Sequence, residues 1–165
     1  MSKIYILCVE DEPEVLDAVV RDLAPLEAMF PVESARSAAE ARDVVARILA
    51  AGDRLGLVLC DHIMPRENGV ELLVEMQRAP RTAATRKVLL TGQADLEATV
   101  KAVNQASLDY YIGKPWSRSE LLSVVKAELT EYALAHEKDL IPFLGILDGP
   151  RLAEAIRLRG TARDR

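Results

Sequence analysis

Little in this sequence marks a cross-linked, membrane-spanning or secreted protein. Only two cysteines occur among its 165 residues, Cys8 and Cys60, which excludes a disulfide scaffold. Two isolated histidines, His62 and His136, with no cysteine cluster beside them, exclude a structural zinc site. Eight glycines and eight prolines are too few for a collagenous or low-complexity chain. The longest apolar runs, Ile4 to Val9 and Leu55 to Cys60, fall far short of the ~20 residues a bilayer span needs. No basic-then-apolar leader opens the chain, so a cytoplasmic protein is expected, without a membrane partner. The net charge of -5 speaks against direct nucleic-acid binding. Ready-made phosphate and acyl sites are missing as well. There is no G-x-x-x-x-G-K-[ST] loop, no G-x-G-x-x-G turn and no G-x-S-x-G elbow.

What is present is a globular composition, 50% hydrophobic and 28% charged, in a chain long enough for one real core. Apolar runs of strand length alternate with longer helical patterns. Ile4–Val9 and Leu55–Cys60 are near-continuous, Val88–Leu90 and Tyr110–Ile112 are shorter versions, and Val32–Ala35 is more polar, as an edge strand would be. Between them, 3.6-period faces recur: Leu16, Val19, Val20, Leu23 and Leu26; Ala41, Val44, Val45, Ile48 and Leu49; Leu72, Leu73 and Met76; Leu96, Val100 and Val103; Leu122, Val125, Leu129 and Tyr132. Ser37 with Glu40, and Ser117 with Glu120, have capping-box spacing. Five β-then-α units predict an α/β fold: a doubly wound parallel sheet with helices on both faces. In such folds ligand chemistry lies beyond the carboxyl ends of the strands.

The residues that follow those runs carry chemistry. Glu10, Asp11 and Glu12 follow the first, Asp61 the third, Thr91 the fourth, and Lys114 with Pro115 the fifth. A solvated acidic helix start accounts for Glu12 but not for Asp61, which ends a fully apolar strand. Carboxylates gathered there repel unless a cation neutralises them or a proton is retained. Hard oxygen donors that keep waters suit Mg²⁺. A cis Lys114–Pro115 bond would aim the ammonium inward. A phosphatase of the haloacid-dehalogenase type would also use a strand-end aspartate, but normally carries a second one two positions on, where this chain has Ile63.

Four motifs stand in order: Val9-Glu10-Asp11-Glu12-Pro13; Asp61-His62-Ile63-Met64-Pro65 with Gly69; Leu90-Thr91-Gly92; and Tyr111-Ile112-Gly113-Lys114-Pro115. Together they resemble the receiver domain of two-component response regulators over roughly residues 3 to 130. The resemblance implies a flavodoxin-like sheet of strand order 2-1-3-4-5. It implies that Asp61 accepts a phosphoryl group from a sensor histidine kinase or a histidine phosphotransfer protein. Asp11, Asp61 and the backbone carbonyl of Ile63 would ligate Mg²⁺, with Glu10 acting through a bound water. Lys114 would pair with a phosphoryl oxygen, Thr91 would move to hydrogen-bond it, and Tyr111 would swing inward as the second half of the switch. Downstream would stand a partner protein or a fused output domain. Glu10 replaces the commoner aspartate. Ile63 stands where a polar residue is often found, which implies restricted access for hydrolytic water and a longer-lived phosphoryl group; Gln93 could still steer water. The Thr91-Gly92-x-Ala94-Asp95-Leu96 and Lys114-Pro115-Trp116 pattern is similar to receivers joined to larger signalling proteins, cyclic-dinucleotide phosphodiesterases among them. A Mg²⁺-dependent aspartyl phosphatase and a phosphorylation-independent scaffold stand as the alternatives.

Residues 1–130 are thus expected to form the receiver and 131–165 a helical C-terminal extension. The extension is too apolar for a disordered linker, with Leu140, Ile141, Phe143, Leu144, Ile146 and Leu147 close together. Pro142 should end any helix carried over from the fifth, and Leu152, Ala155 and Ile156 share a face of a final one. Two roles are open for it: covering the domain's own apolar surface, or serving as a docking or homodimerisation element. Cys8 and Cys60 read as small buried hydrophobes, and Val15 as either packing or a kinase contact.

Overall fold

The computed structural model describes residues 2–92 and 96–163, leaving out the side chains of 96–98 and 163. Five parallel strands form one sheet in the order β2-β1-β3-β4-β5. They are β1 (Ile4–Val9), β2 (Val32–Ala35), β3 (Arg54–Asp61), β4 (Arg86–Thr91) and β5 (Tyr110–Gly113). The described residues form six α-helices: α1 (Pro13–Asp22), α2 (Ala38–Ala50), α3 (Gly69–Arg78), α4 (Leu96–Gln105), α5 (Arg118–His136) and α6 (Gly149–Arg163). The flavodoxin-like order and the doubly wound architecture are as expected.

Local chemistry explains the element starts. Pro13 opens α1, where its missing N–H costs nothing. Ser37 Oγ accepts from Glu40 N at 3.1 Å, and Ser117 Oγ accepts from Glu120 N at 3.1 Å, so both anticipated caps form. Asn68 Oδ1 does the same for α3, accepting from Glu71 N at 2.9 Å. The central strands are apolar because helices cover both faces. One core, against α1 and α5, holds Ile6, Cys8, Leu57, Leu59, Val88 and Leu90. The other, against α2 and α3, holds Leu7, Val9, Val58, Cys60 and Leu89. Cys8 and Cys60 therefore face opposite sides of the sheet; both thiols are free and buried, which pushes Cys8 up to about 12.

Three expectations need correction. The first apolar face is not one helix: α1 stops at Asp22 and a 3-10 turn takes over at Ala24–Leu26, because Pro25 cannot continue an α-helix. Leu23 and Leu26 are buried all the same. In α4, Val100 and Val103 are exposed, while Ala102 and, just past the helix end, Ala106 are fully buried; small side chains let that helix lie close to its neighbours and turn its valines outward. The Tyr110–Ile112 run is not covered on both faces. β5 is a sheet edge, and both tyrosines are exposed.

Beyond residue 130 the chain stays on the domain. Leu140, Phe143, Leu147 and Leu152 are buried in the same core as Leu26 and Phe30. The Phe30 and Phe143 rings stack with centroids 5.9 Å apart. Thr130 Oγ1, on α5, accepts from Asp148 N at 3.2 Å. From α6, Arg159 donates to the carbonyls of Leu134 and Glu137 at 2.9 Å each, satisfying orphan acceptors at the end of α5. The second segment thus covers apolar surface of the first.

Candidate functional site

The carboxyl ends of β1, β3, β4 and β5 converge on one pocket. Glu10 and Asp11 follow β1, Asp61 ends β3, Thr91 ends β4, and Lys114 follows β5. Strand order puts β3 between β1 and β4, so Asp61 occupies the centre. Ligand oxygens of Glu10, Asp11 and Asp61 all lie within 4.8 Å of one another. Lys114 Nζ donates to Asp61 Oδ1 at 3.0 Å and to Glu10 Oε2 at 3.1 Å. Lys114 N also donates to the Thr91 carbonyl at 2.8 Å, fixing the start of the β5–α5 loop against β4. The Lys114–Pro115 peptide is cis.

Burial sets the electrostatics. Glu10 is 1% exposed and Asp61 4%. Burial first, and then the charge of Asp61, push Glu10 up to about 7, against the opposing pull of Lys114. Partial burial alone would lower Lys114, but its hydrogen bonds to Asp61 and Glu10 outweigh that and raise it. The ammonium stays charged, and the Asp61 and Glu10 carboxylates face it. Among the described residues, the Asp11 Oδ1 atom is buried without a hydrogen-bond partner. An orphaned carboxylate oxygen beside two more carboxylates is a donor set suited to a hard divalent cation such as Mg²⁺.

Around this nest, Gly69 N donates to His62 O at 2.9 Å, and His62 N donates to Leu90 O at 3.0 Å. Gly69 has no room for a side chain: a Cβ there would lie 1.9 Å from the Asp61 carbonyl oxygen and 2.7 Å from Cys60 Sγ. The Ile63 side chain is 72% exposed, at the start of the loop after β3. Thr91 is buried, whereas Tyr111 is 52% exposed on the edge strand. Glu10, Asp11, Asp61 and Lys114 are thus brought together, with Thr91 at the adjacent strand end and Tyr111 turned outward. Gln93, Ala94 and Asp95 lie outside the described residues. Sequence reasoning missed Arg42 and Glu67, 25 residues apart, which pair α2 with the loop after β3; no local signal links them.

The chain is thus a parallel 2-1-3-4-5 α/β domain with a carboxylate nest and a lysine at the carboxyl end of its sheet. Residues 6–126 match the response regulator receiver domain family, and the chain belongs to it. Among curated relatives, the hydrogenase transcriptional regulatory protein HoxA of Cupriavidus necator is 32% identical over 138 residues, covering 82% of this chain and 27% of that protein. A probable cyclic di-GMP phosphodiesterase of Vibrio cholerae is 28% identical over 129 residues, 78% of this chain and 27% of that protein. The chain therefore spans about a quarter of the length of these relatives. Among solved structures, the CheY-like receiver domain protein of Methanospirillum hungatei superposes with a TM-score of 0.67 at 30% identity, over 79% of this chain and 97% of that one. The receiver domain of an HD domain-containing protein of Pseudomonas fluorescens gives 0.68 at 28% identity, with the same coverage. Among the described residues, no helix is long and apolar enough to cross a membrane.

Proposed function

We propose that the chain is a phosphorylation-switched signalling receiver in which Asp61 is the phosphoacceptor. The observation that carries this is the meeting of Lys114 with both Asp61 and Glu10, beside the orphaned Asp11 oxygen. An Asp61 oxygen attacks the phosphorus of a phosphohistidine on a sensor kinase or phosphotransfer protein. The O–P bond forms as the N–P bond breaks, and the electron pair returns to the imidazole. Asp11, Asp61 and the Ile63 carbonyl, with Glu10 behind them, would hold Mg²⁺, which when bound neutralises charge on the transferred group. Lys114 supplies the second positive charge and passes from the carboxylate to a phosphoryl oxygen.

The donor docks beside this pocket. A groove of about 520 Å³ lined by Val15, Ala18, Pro115 and Trp116 opens next to Lys114 and offers an apolar contact for the donor helix. Output runs through Thr91 and Tyr111. Thr91 moves toward the phosphoryl group and Tyr111, now exposed on β5, swings inward. That changes the surface made by Val103, Tyr110 and Tyr111, where a downstream protein, a fused output domain or a second copy binds. The module catalyses only its own phosphorylation and dephosphorylation, and works in the cytoplasm. Residues 1–130 form the switch, and 131–165 brace it through the Phe30–Phe143 contact.

Incubation with acetyl phosphate and Mg²⁺, followed by intact mass, tests this. Wild type should gain one phosphoryl group and Asp61→Asn none. Because position 63, two residues past Asp61, carries an isoleucine and no polar side chain to steer water, the adduct should persist for minutes. Decay within seconds would remove the shielding argument. Turnover of phosphate esters with no aspartyl adduct would favour the phosphatase alternative.

A further inference from the structure

The loop between Asp61 and α3 contains a strained turn. Glu67 N donates to Pro65 O at 2.9 Å, and Arg66 has φ of 71°, so residues 65–67 form a γ-turn centred in the left-handed half of conformational space. Arginine has no intrinsic preference for that region, and such residues persist only when their surroundings hold them. The turn lies between Ile63, whose carbonyl the proposed function assigns to the metal, and Asn68, which caps α3. Backbone hydrogen bonds anchor the ends of the loop at His62 and Gly69.

A side chain from another helix reaches its middle. Arg42, on α2, pairs through Nη2 with Glu67 and donates through Nε to Glu75 on α3 at 2.7 Å. One planar guanidinium thus ties the turn, α3 and α2 together, using donors that point in two directions. Both Arg42 and Glu67 are partly buried, with side-chain exposures of 39% and 30%.

We propose that Arg42 is a positioning residue for phosphoryl acceptance: by holding Glu67 it keeps the strained turn closed and so fixes the Ile63 segment beside Asp61. This rests on the phosphoacceptor role of Asp61. Without the clamp, Arg66 relaxes to negative φ and the 63–67 segment drifts from the pocket. The helices keep their cores, so the fold survives.

The test compares wild type with Arg42→Gln, Arg42→Lys, Glu67→Gln and the Arg42→Gln/Glu67→Gln double variant of the full chain. Mg²⁺ affinity of the unphosphorylated protein is measured by titration calorimetry, and thermal melting is measured in parallel. Each of Arg42→Gln and Glu67→Gln should weaken Mg²⁺ binding about tenfold, as loss of a supporting contact does. The double variant should be no worse than Arg42→Gln alone, because both singles already remove the Arg42–Glu67 pair that holds the turn. Arg42→Lys, able to serve one carboxylate, should fall between. Melting should move by no more than about 3 °C. Phosphorylation by acetyl phosphate should slow at low Mg²⁺ and recover at saturating Mg²⁺. Wild-type affinity in Arg42→Gln, or affinity that merely tracks melting across the set, overturns the positioning role. Failure of wild type itself to bind Mg²⁺ or to form the Asp61 adduct overturns the underlying reading instead, and the clamp with it.

Discussion

Lys114 Nζ stands 3.0 Å from Asp61 Oδ1 although 53 residues separate them, and the same nitrogen reaches Glu10 across 104 residues. One ammonium is shared by two buried carboxylates that would otherwise repel each other. Lys114→Ala should therefore lower the melting temperature without Mg²⁺ and recover most of it with Mg²⁺, which supplies the missing charge. Its phosphorylation-dependent change should be lost in both conditions. Hydrogen exchange around Tyr111 before and after acetyl phosphate reads the second effect; equal damage to folding and to switching would mark a structural lysine.

Mg²⁺ should stabilise the unphosphorylated protein, because the carboxylate nest exists only in the folded chain. At ten times its dissociation constant a single ion contributes about 1.4 kcal/mol. For a domain of this size that is a rise of roughly 3–6 °C in melting temperature. Asp11→Asn should abolish the rise, since the orphaned Asp11 oxygen is the donor with no other partner. A flat response in wild type at millimolar Mg²⁺ would count against the metal site.

Lys87 gives the fold an alkaline signature. Its side chain is 1% exposed, and Nζ donates to the Thr85 and Ala83 carbonyls at 2.8 and 3.1 Å. Burial pulls its pKa down to about 8 from 10.5, with Asp109 opposing. The unfolded chain thus binds the proton more tightly than the folded one, and stability rises as pH rises between those values. The gain from pH 7.5 to 9.5 should be about 2 kcal/mol. Urea unfolding in that window measures it, and Lys87→Met should flatten it.

Gly69→Ala should damage both the fold and the site. The added methyl would lie 1.9 Å from the Asp61 carbonyl oxygen, so the Asp61 backbone must shift. Overpacking of this kind costs about 3 kcal/mol. The variant should lose that much stability in urea and be phosphorylated more slowly than its folded fraction accounts for. A variant as stable as wild type would show that α3 can retreat freely.

The alternation of apolar runs with helical faces was enough to set the fold class, because a strand covered on both faces must be apolar throughout and an amphipathic helix must repeat at 3.6. The strand-end residues were legible for a related reason. In a parallel sheet every strand delivers its following residue to the same edge, so Glu10, Asp11, Asp61, Thr91 and Lys114 could be grouped without coordinates. Val100 and Val103 were not legible. Periodicity says which residues share a face, but Ala102 and Ala106 won the buried side because their size permits close approach. The exposed Tyr110 and Tyr111 depended on β5 being an edge, which is a property of the sheet and not of the run.

By itself, the sequence determined the order of elements, the helix caps and the set of charged groups gathered at one end of the sheet, since each depends on neighbours within a few residues or on strand direction. Tertiary structure decided where residues 140–152 lie, that Gly69 packs against the Asp61 backbone, and that Arg42 holds Glu67. Those are contacts between segments far apart along the chain. Their partners are selected by shape and by the paths of intervening loops, which no local pattern encodes.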